Sequence, residues 1–262
     1  KTIQSVFLGM VLLLMYLPIL ILAVYSFMDS AIIGKSGSFT VKNYVYLFHS
    51  EDLRSMIFGT LILALVVAVI STILGTLGAI GAFYSSKKFK RPIHLMNQIP
   101  VVNADVVTGF SICVLLIVFF KMDKASYVPL VIGLVSLCSP FVYLSVIPRL
   151  KQMDPQLYEA ALDLGCSPFG ALRKVVLPQL TSGIVSGFMM SITLTLDDYF
   201  ITTYTKPSMF DTISTYVVNA TKGAQTDVKT ALWALSTIIF LIVIFVVIGM
   251  NHTGRKENDH EI

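Results

Sequence analysis

The feature that most constrains this chain is a series of long apolar runs that carry almost no charge. A membrane-spanning helix needs about 20 predominantly apolar residues, and six runs of that kind can be drawn. They cover residues 5–27, 57–83, 99–120, 128–147, 180–203 and 231–250. Only 13% of the residues are charged, against roughly 25% in a soluble domain. We therefore expect an all-α polytopic membrane protein whose transmembrane domain covers residues 1–250.

The Lys and Arg residues indicate how this domain is oriented. An even number of spans places both termini on one side, and 11 of the 19 Lys and Arg residues fall on that side. The densest cluster, at residues 87–91, lies directly beside two spans. Because such residues accumulate in cytoplasmic loops, we expect both termini and the loop 148–179 in the cytoplasm. The polar tail 251–262 is typical of a disordered cytoplasmic end, or of the junction to a further domain.

The loop 148–179 carries start and stop signals for two short helices. Asp154-Pro155 combines an N-cap acceptor with a proline at the first helical position, and Ser167-Pro168 repeats that signal. Gly165 suits the left-handed conformation that ends a helix. The second helix should run to about residue 176 and stop before Pro178, since proline restricts the residue ahead of it. We expect two helices joined at Gly165.

The same loop contains a spaced motif. Glu159-Ala160-Ala161 is followed after three residues by Gly165, which is followed after nine residues by Val175 and then by Leu177-Pro178. This pattern resembles the EAA loop of ABC-importer permeases, EAA-x3-G-x9-I-x-LP, with Val175 in place of Ile. An amphipathic helix lying on the membrane surface is the alternative interpretation of the first helix alone.

The resemblance implies a coupling role for the loop and no enzymatic activity for the chain. ATP hydrolysis, with bound ATP and Mg²⁺, would belong to separate nucleotide-binding subunits that push and pull on the helices at 155–176. The implied ATPase-coupling residues are Glu159, Ala160, Ala161, Asp163, Gly165, Leu177 and Pro178.

Motifs for other chemistry fail in this chain. Gly34-Lys35-Ser36 ends like a phosphate-binding loop, but Asp29 stands where the first glycine of that motif is required. The four His and three Cys residues have no metal-ligand or catalytic spacing. We therefore predict no catalytic residues, no metal and no cofactor in the chain, and we set aside a membrane enzyme. The small net charge of +4 also argues against nucleic-acid binding.

Three acids lie inside the predicted spans, which contain no Lys or Arg: Asp105, Asp197 and Asp198. Each costs roughly 2.5–3.5 kcal/mol at the centre of a membrane helix, so they call for a compensating cation. Their positions in the third and fifth spans suggest successive depths along one path. The alternatives are that these acids cap helix ends or pair with a partner subunit.

Aromatic and hydroxyl side chains accompany the acids, and Tyr199, Tyr204 and Thr195 complete the predicted substrate path. Aromatic faces attract ammonium groups by about 0.5–2 kcal/mol. Leu196-Asp197-Asp198-Tyr199 and the pattern Pro-x-x-Asn-x-Asp-Val-Val-x-Gly at 100–109 resemble spermidine/putrescine permeases of the PotC type. The sequence departs from them at Lys206-Pro207, where Gly-Pro is expected.

This second resemblance implies an importer of polyamines in the bacterial inner membrane, working by alternating access. Its partners would be a second permease subunit in a heterodimer, two ATPase subunits, membrane lipids and an external polyamine-binding protein that is free, fused or lipid-anchored. The outer segments 28–56 and 204–230 would meet that protein, or would simply connect spans. Another cationic substrate, or a proton-coupled secondary transporter using the acids as proton sites, are the rival functions.

Two stripes of small residues, four apart, permit close helix approach: Ser71, Gly75 and Ala79, and Gly183, Gly187 and Ser191. We expect them to serve packing inside the chain rather than a seam between subunits.

Overall fold

The computed structural model describes residues 2–29, 37–154, 156–223, 233–238, 240, 241 and 244. The α-helices within these ranges are α1 (Thr2–Tyr25), α2 (Lys42–His49), α3 (Glu51–Tyr84), α4 (Lys87–Val102), α5 (Asp105–Cys113), α6 (Val128–Gln152), α7 (Gln156–Asp163), α8 (Pro168–Ala171), α9 (Leu177–Gln179), α10 (Thr181–Asp197), α11 (Phe200–Thr205) and α12 (Ile213–Gly223). Two π-helical turns, Val114–Phe119 and Leu172–Val176, follow α5 and α8. No strand forms in the described part of the chain, and the predicted all-α class is confirmed.

Three of the described helices are long and apolar enough to cross a membrane: α1 over Phe7–Tyr25, α3 and α6. Two bent pairs raise that number to five if each pair forms one broken span. Most of the sixth predicted span, 231–250, and all of the tail 251–262 lie outside the described residues. The number of six spans therefore stays a prediction.

The third predicted span, 99–120, is broken. α4 ends at Val102, and the helical stretch Asp105–Phe119 leaves it at an angle of 105°. Asn103 takes an extended backbone with ψ of 150°, and its Nδ2 donates to Thr108 Oγ1 at 3.0 Å. The extended backbone at Asn103 interrupts the apolar run where we expected one helix. Residues 87–98, predicted as a connecting segment, belong to α4.

The fifth predicted span, 180–203, is also divided. α10 ends at Asp197, Asp198 has an extended backbone with ψ of 121°, and α11 begins at Phe200. At its other end, α10 meets the helical stretch Pro168–Gln179 at an angle of 71°. Each of these two predicted spans thus contains a break that is followed by a new helix start.

The core forms where α6 lies between α3 and α10. A Cβ atom on Gly75 of α3 would lie 2.6 Å from the Val142 Cβ, and one on Gly187 of α10 would lie 3.0 Å from the Val142 Cγ1. Val142, Val146 and Leu150 of α6 are fully buried. The small-residue stripes of α3 and α10 therefore pack inside the chain, as the sequence predicted.

The contacts divide the chain into two units. One comprises the described residues of Lys1–Ile57 and Tyr216–Arg255, and the other those of Phe58–Thr215. In the first unit, Asn43 is buried and its Nδ2 donates to the backbone oxygens of Ser26 and Met28, which fixes α2 to the end of α1. The second unit holds the core and all the residues discussed below.

Candidate functional site

The two helices that follow the breaks, α5 and α11, lie against each other. A Cβ atom on Gly109 would lie 3.0 Å from the Ile201 Cα, so the two backbones approach closely. Further along, Cys113 Sγ donates to the Tyr204 carbonyl oxygen at 3.2 Å, and the Phe110 and Tyr204 rings lie 5.8 Å apart. Residues further along α5 contact residues further along α11, so the two helices run parallel. Their N-terminal ends are therefore neighbours.

Asp198 caps α11. Its Oδ2 accepts hydrogen bonds from the Thr202 backbone N–H and from Thr202 Oγ1, both at 2.7 Å. Its Oδ1 accepts from the Ile201 N–H at 3.4 Å. Asp198 is only 9% exposed. The carboxylate therefore satisfies donors at the start of the helix that have no partner within the helix itself.

The other two predicted acids face outward. Asp105 lies in the first turn of α5 and is exposed, and so is Asp197 at the last residue of α10. Asp105 and Asp198 thus lie at the neighbouring starts of α5 and α11, and Asp197 ends α10 directly before Asp198. That the acids line successive depths of one path stays a prediction.

The two predicted tyrosines lie at α11, whereas the predicted threonine lies in the core. Tyr199 is partly exposed and its ring packs against Phe200 at 5.3 Å, while Tyr204 packs against Phe110. Thr195 is not part of the acidic group. It is buried between helices, where its Oγ1 donates to the Ser191 carbonyl oxygen at 2.8 Å and contacts Cys138 Sγ at 3.6 Å.

A clamped turn follows α11. Lys206 Nζ donates to the Phe210 carbonyl oxygen at 2.8 Å and forms an ion pair with Asp211 Oδ1 at 2.7 Å. The Phe210 ring contacts Tyr127 at 5.2 Å. Lys206, the residue that departs from the expected Gly-Pro pattern, thus closes this turn. The sequence had pointed to Lys206 only as an irregularity and to Asp211 and Thr202 not at all.

The loop 148–179 begins with the predicted caps. Asp154 Oδ1 accepts from the Gln156 N–H at 2.9 Å, although Pro155 itself lies outside the described residues. Ser167 Oγ accepts from the Gly170 N–H at 3.2 Å, with Pro168 at the first position of α8. Gly165 has φ of +85°, the left-handed conformation that we predicted for the joint.

The first helix of the loop has one buried and one exposed side. Ala161 is 6% exposed, whereas Glu159, Ala160 and Asp163 lie on the exposed side. Two apolar side chains that the motif does not include, Leu164 and Phe169, are 87% and 74% exposed. The sequence offered one signal for these two residues, which is their apolar character beside the joint between two helices.

The second helix of the loop differs from the prediction. It does not stop before Pro178, because a π-helical turn at Leu172–Val176 leads directly into α9. Pro178 stands at the second residue of that new α-turn, where its missing N–H leaves no hydrogen bond unmade. Leu177 and Pro178 are exposed at this position.

The loop is attached firmly to the core. Tyr158 of α7 packs against Tyr84 at the end of α3, with ring centroids 4.9 Å apart. Val176 is fully buried in the same cluster as Leu150 of α6 and Ala82 of α3. Packed side chains therefore connect both helices of the loop to the ends of α3 and α6.

Within the described residues, no group of three His, Cys, Asp or Glu side chains could hold a metal ion. The phosphate-loop-like segment Gly34-Lys35-Ser36 lies outside those residues. That the chain carries no cofactor stays a prediction.

Residues 73–253 match the family described as binding-protein-dependent transport system inner membrane component. The chain is 28% identical over 245 residues to the spermidine/putrescine transport system permease protein PotC of Escherichia coli (strain K12), covering 93% of this chain and 90% of PotC. It is 29% identical over 238 residues to the putrescine transport system permease protein PotI of the same organism, covering 86% and 81%.

Solved structures share the fold. A bacterial ABC transporter involved in the import of the acidic polysaccharide alginate matches with a TM-score of 0.72 at 17% identity, over 97% of this chain and 95% of the other. An amino acid ABC transporter matches with a TM-score of 0.57 at 17% identity, over 82% and 96%. At such identities the likeness concerns the fold alone, which is the type I ABC importer permease fold.

Proposed function

This chain belongs to the family of binding-protein-dependent transport system inner membrane components, and from that premise we propose that it carries polyamines through the bacterial inner membrane. It is a membrane protein and the permease component of an ABC importer. The substrate, the coupling and the topology that follow are our proposal. The relatives named for spermidine and putrescine support the choice of substrate.

The observation that carries the choice of a polyamine is the group of carboxyl groups where α5 and α11 start. Asp105 and Asp197 are exposed there, and neither carboxyl group has a hydrogen-bond or ion-pair partner among the described residues. Exposed carboxylates without a partner favour a positively charged ligand. Tyr199 and Tyr204 add ring faces and hydroxyl groups that suit an alkyl-ammonium chain.

The energy would come from outside the chain. We propose that the exposed side of α7, with Glu159, Ala160 and Asp163, and the exposed Leu177 and Pro178 are contacted by ATPase subunits that bind ATP and Mg²⁺. Motion there would pass through the packed Tyr158 and Val176 to α3 and α6. Alternating access is then a two-state equilibrium that ATP binding and hydrolysis bias in turn.

The assembly would contain a second permease, two ATPase subunits and an external polyamine-binding protein, with lipid around the spans. One structural neighbour is described in complex with a pentasaccharide-bound periplasmic protein, which supports a binding protein as a partner. The proposal includes six spans with both termini and the coupling loop in the cytoplasm. The rival proton-coupled transporter loses its basis, because the family works with ABC machinery.

ATPase activity of the reconstituted complex tests this function. The full complex would be measured with its binding protein loaded in turn with spermidine, putrescine, arginine or no ligand. We expect stimulation by the polyamine-loaded protein above the ligand-free level. Stimulation by arginine alone would identify another cation as the substrate and contradict the polyamine proposal.

A further inference from the structure

We infer that Asp198 is a positioning residue, which holds the start of α11 and thereby fixes the helix break that carries the exposed Asp197. This inference rests on the proposed polyamine path and assigns different roles to two adjacent acids. Asp197 would meet the substrate by its charge. Asp198 would act through the hydrogen bonds that its carboxyl oxygens accept.

The first argument concerns the hydrogen bonds of Asp198. Two donors reach its Oδ2 at 2.7 Å and a third reaches its Oδ1 at 3.4 Å, and all of them belong to Ile201 and Thr202. A carboxylate has about four lone-pair sites, so three of them are used inside the chain. With 9% exposure, the remaining site is poorly placed for a passing ammonium group.

The second argument concerns α11, which has only six residues. Such a helix is too short to be stable alone, because nucleation is unfavourable and its first N–H groups lack partners. It is held from outside by close contacts of Ile201 with two glycines. A Cβ atom added to Gly109 would lie 3.0 Å from the Ile201 Cα. One added to Gly133 would lie 2.9 Å from the Ile201 Cγ2. The Asp198 cap sets the first turn that places Ile201 between them.

The third argument concerns what the cap positions. Asp197 immediately precedes Asp198, and its carbonyl oxygen accepts a hydrogen bond from Ser214 Oγ at 3.1 Å. The backbone at the break is thus fixed by Ser214 before Asp198 and by the cap after it. The backbone that carries the exposed Asp197 carboxylate therefore has a defined place directly before the cap.

Substitutions can separate the capping role of an acid from its charge. Ser is nearly as good an N-cap as Asp but is neutral. Glu keeps the charge, but its longer side chain caps poorly. Asp198→Ala, Asp198→Ser and Asp198→Glu would be compared with Asp197→Ala, Asp197→Ser and Asp197→Glu. The measurement is putrescine uptake into proteoliposomes that contain the full ATP-driven complex. KM, maximal rate and the amount of assembled complex would be determined for each variant.

At position 198 we expect Ala to lower transport, Ser to restore most of it with KM within about threefold of the wild type, and Glu to fail. At position 197 the order should reverse. Ser should raise KM by about tenfold or more, the loss expected for one charge-assisted hydrogen bond, and Glu should restore it partly.

Thr202 provides a second measurement that leaves both acids in place. Thr202→Ser retains the hydroxyl donor to Asp198, and Thr202→Val removes it with little change in shape. We expect Thr202→Val to lower the maximal rate and Thr202→Ser to restore it.

The positioning role would be overturned if Asp198→Ser lost as much transport or assembly as Asp198→Ala while Asp198→Glu functioned. That result would leave the proposed function intact. An unchanged KM in Asp197→Ser together with an unchanged KM in Asp105→Ser would instead overturn the acidic path itself.

Discussion

Two regions of this chain are built alike and buried differently. At the start of α11, a break is followed by the cap Asp198, and Gly109 allows the neighbouring helix to approach. In the coupling loop, Gly165 ends α7 and the cap Ser167 starts α8. Asp198 is 9% exposed, whereas Ser167 and Gly165 face outward.

The two glycines and the two caps serve different structural roles. Gly109 is required by the space beside the Ile201 backbone, and Gly165 by its φ of +85° with nothing within 4 Å of an added Cβ. A buried cap cannot be replaced by water, but an exposed one can. We therefore expect changes at α11 to affect the fold of the chain, and changes in the coupling loop to affect its communication with partners.

The largest effect should come from Gly109→Val. A valine there would meet the Ile201 backbone at 3.0 Å or less, so α5 and α11 would have to separate, at a cost of about 3 kcal/mol. Thermal unfolding of the purified complex, or its yield from membranes, measures the loss. Gly81→Val is the matched control, because a Cβ there meets nothing within 4 Å. Equal stability of the two variants would contradict the close approach.

The second-largest effect on stability should come from the buried cap Asp198, compared with the exposed cap Ser167. Asp198→Ala should destabilise the complex by about 2–3 kcal/mol, because it leaves buried donors without an acceptor. Ser167→Ala should cost about 1 kcal/mol or less, since water can reach the Gly170 N–H. Thermal unfolding of both variants in the same detergent checks the order. A larger loss for Ser167→Ala would break the contrast between the regions.

A smaller effect is expected at the joint of the coupling loop. Gly165→Ala should cost about 1 kcal/mol, because a side chain is strained at positive φ, while Gly165→Asn should cost less, since Asn tolerates that region. ATPase stimulation by the loaded binding protein should fall in the alanine variant and recover in the asparagine variant. Similar losses in both would mean that the joint needs the absence of a side chain and not the left-handed conformation.

The smallest effect on stability should come from Phe169→Asp. The side chain is 74% exposed, so the fold should change by no more than about 0.5 kcal/mol, yet co-purification of the ATPase subunits should fall severalfold. Met209→Asp, at a residue that is 100% exposed after α11, is the matched control. Equal loss of ATPase subunits in both variants would argue against a contact between Phe169 and those subunits.

Local signals in the sequence predicted much of the coupling loop. Asp154, Ser167 and Gly165 act through their own neighbours, so cap and turn chemistry placed them correctly. The predicted end of the second helix before Pro178 was wrong, because a π-helical turn changes the hydrogen-bond register just before it. Propensity rules do not contain that register change.

The acidic region was predictable only in part. The acids stood out by their charge in apolar runs, but the pairing of α5 with α11 depends on contacts between residues about 90 positions apart, such as Cys113 with Tyr204. Asp198 caps α11 while Asp197 is exposed because α10 ends between them and the backbone of Asp198 is extended. The sequence left both roles open for each acid.

Uptake of labelled polyamine tests the central claim most directly. Proteoliposomes would contain this chain, its second permease and the ATPase subunits, with the binding protein on the substrate side and ATP on the other. We predict spermidine or putrescine accumulation that requires ATP and falls in Asp197→Asn. Accumulation that proceeds without ATP and collapses with the proton gradient, or ATP-dependent transport of other solutes with no polyamine uptake, would contradict the claim.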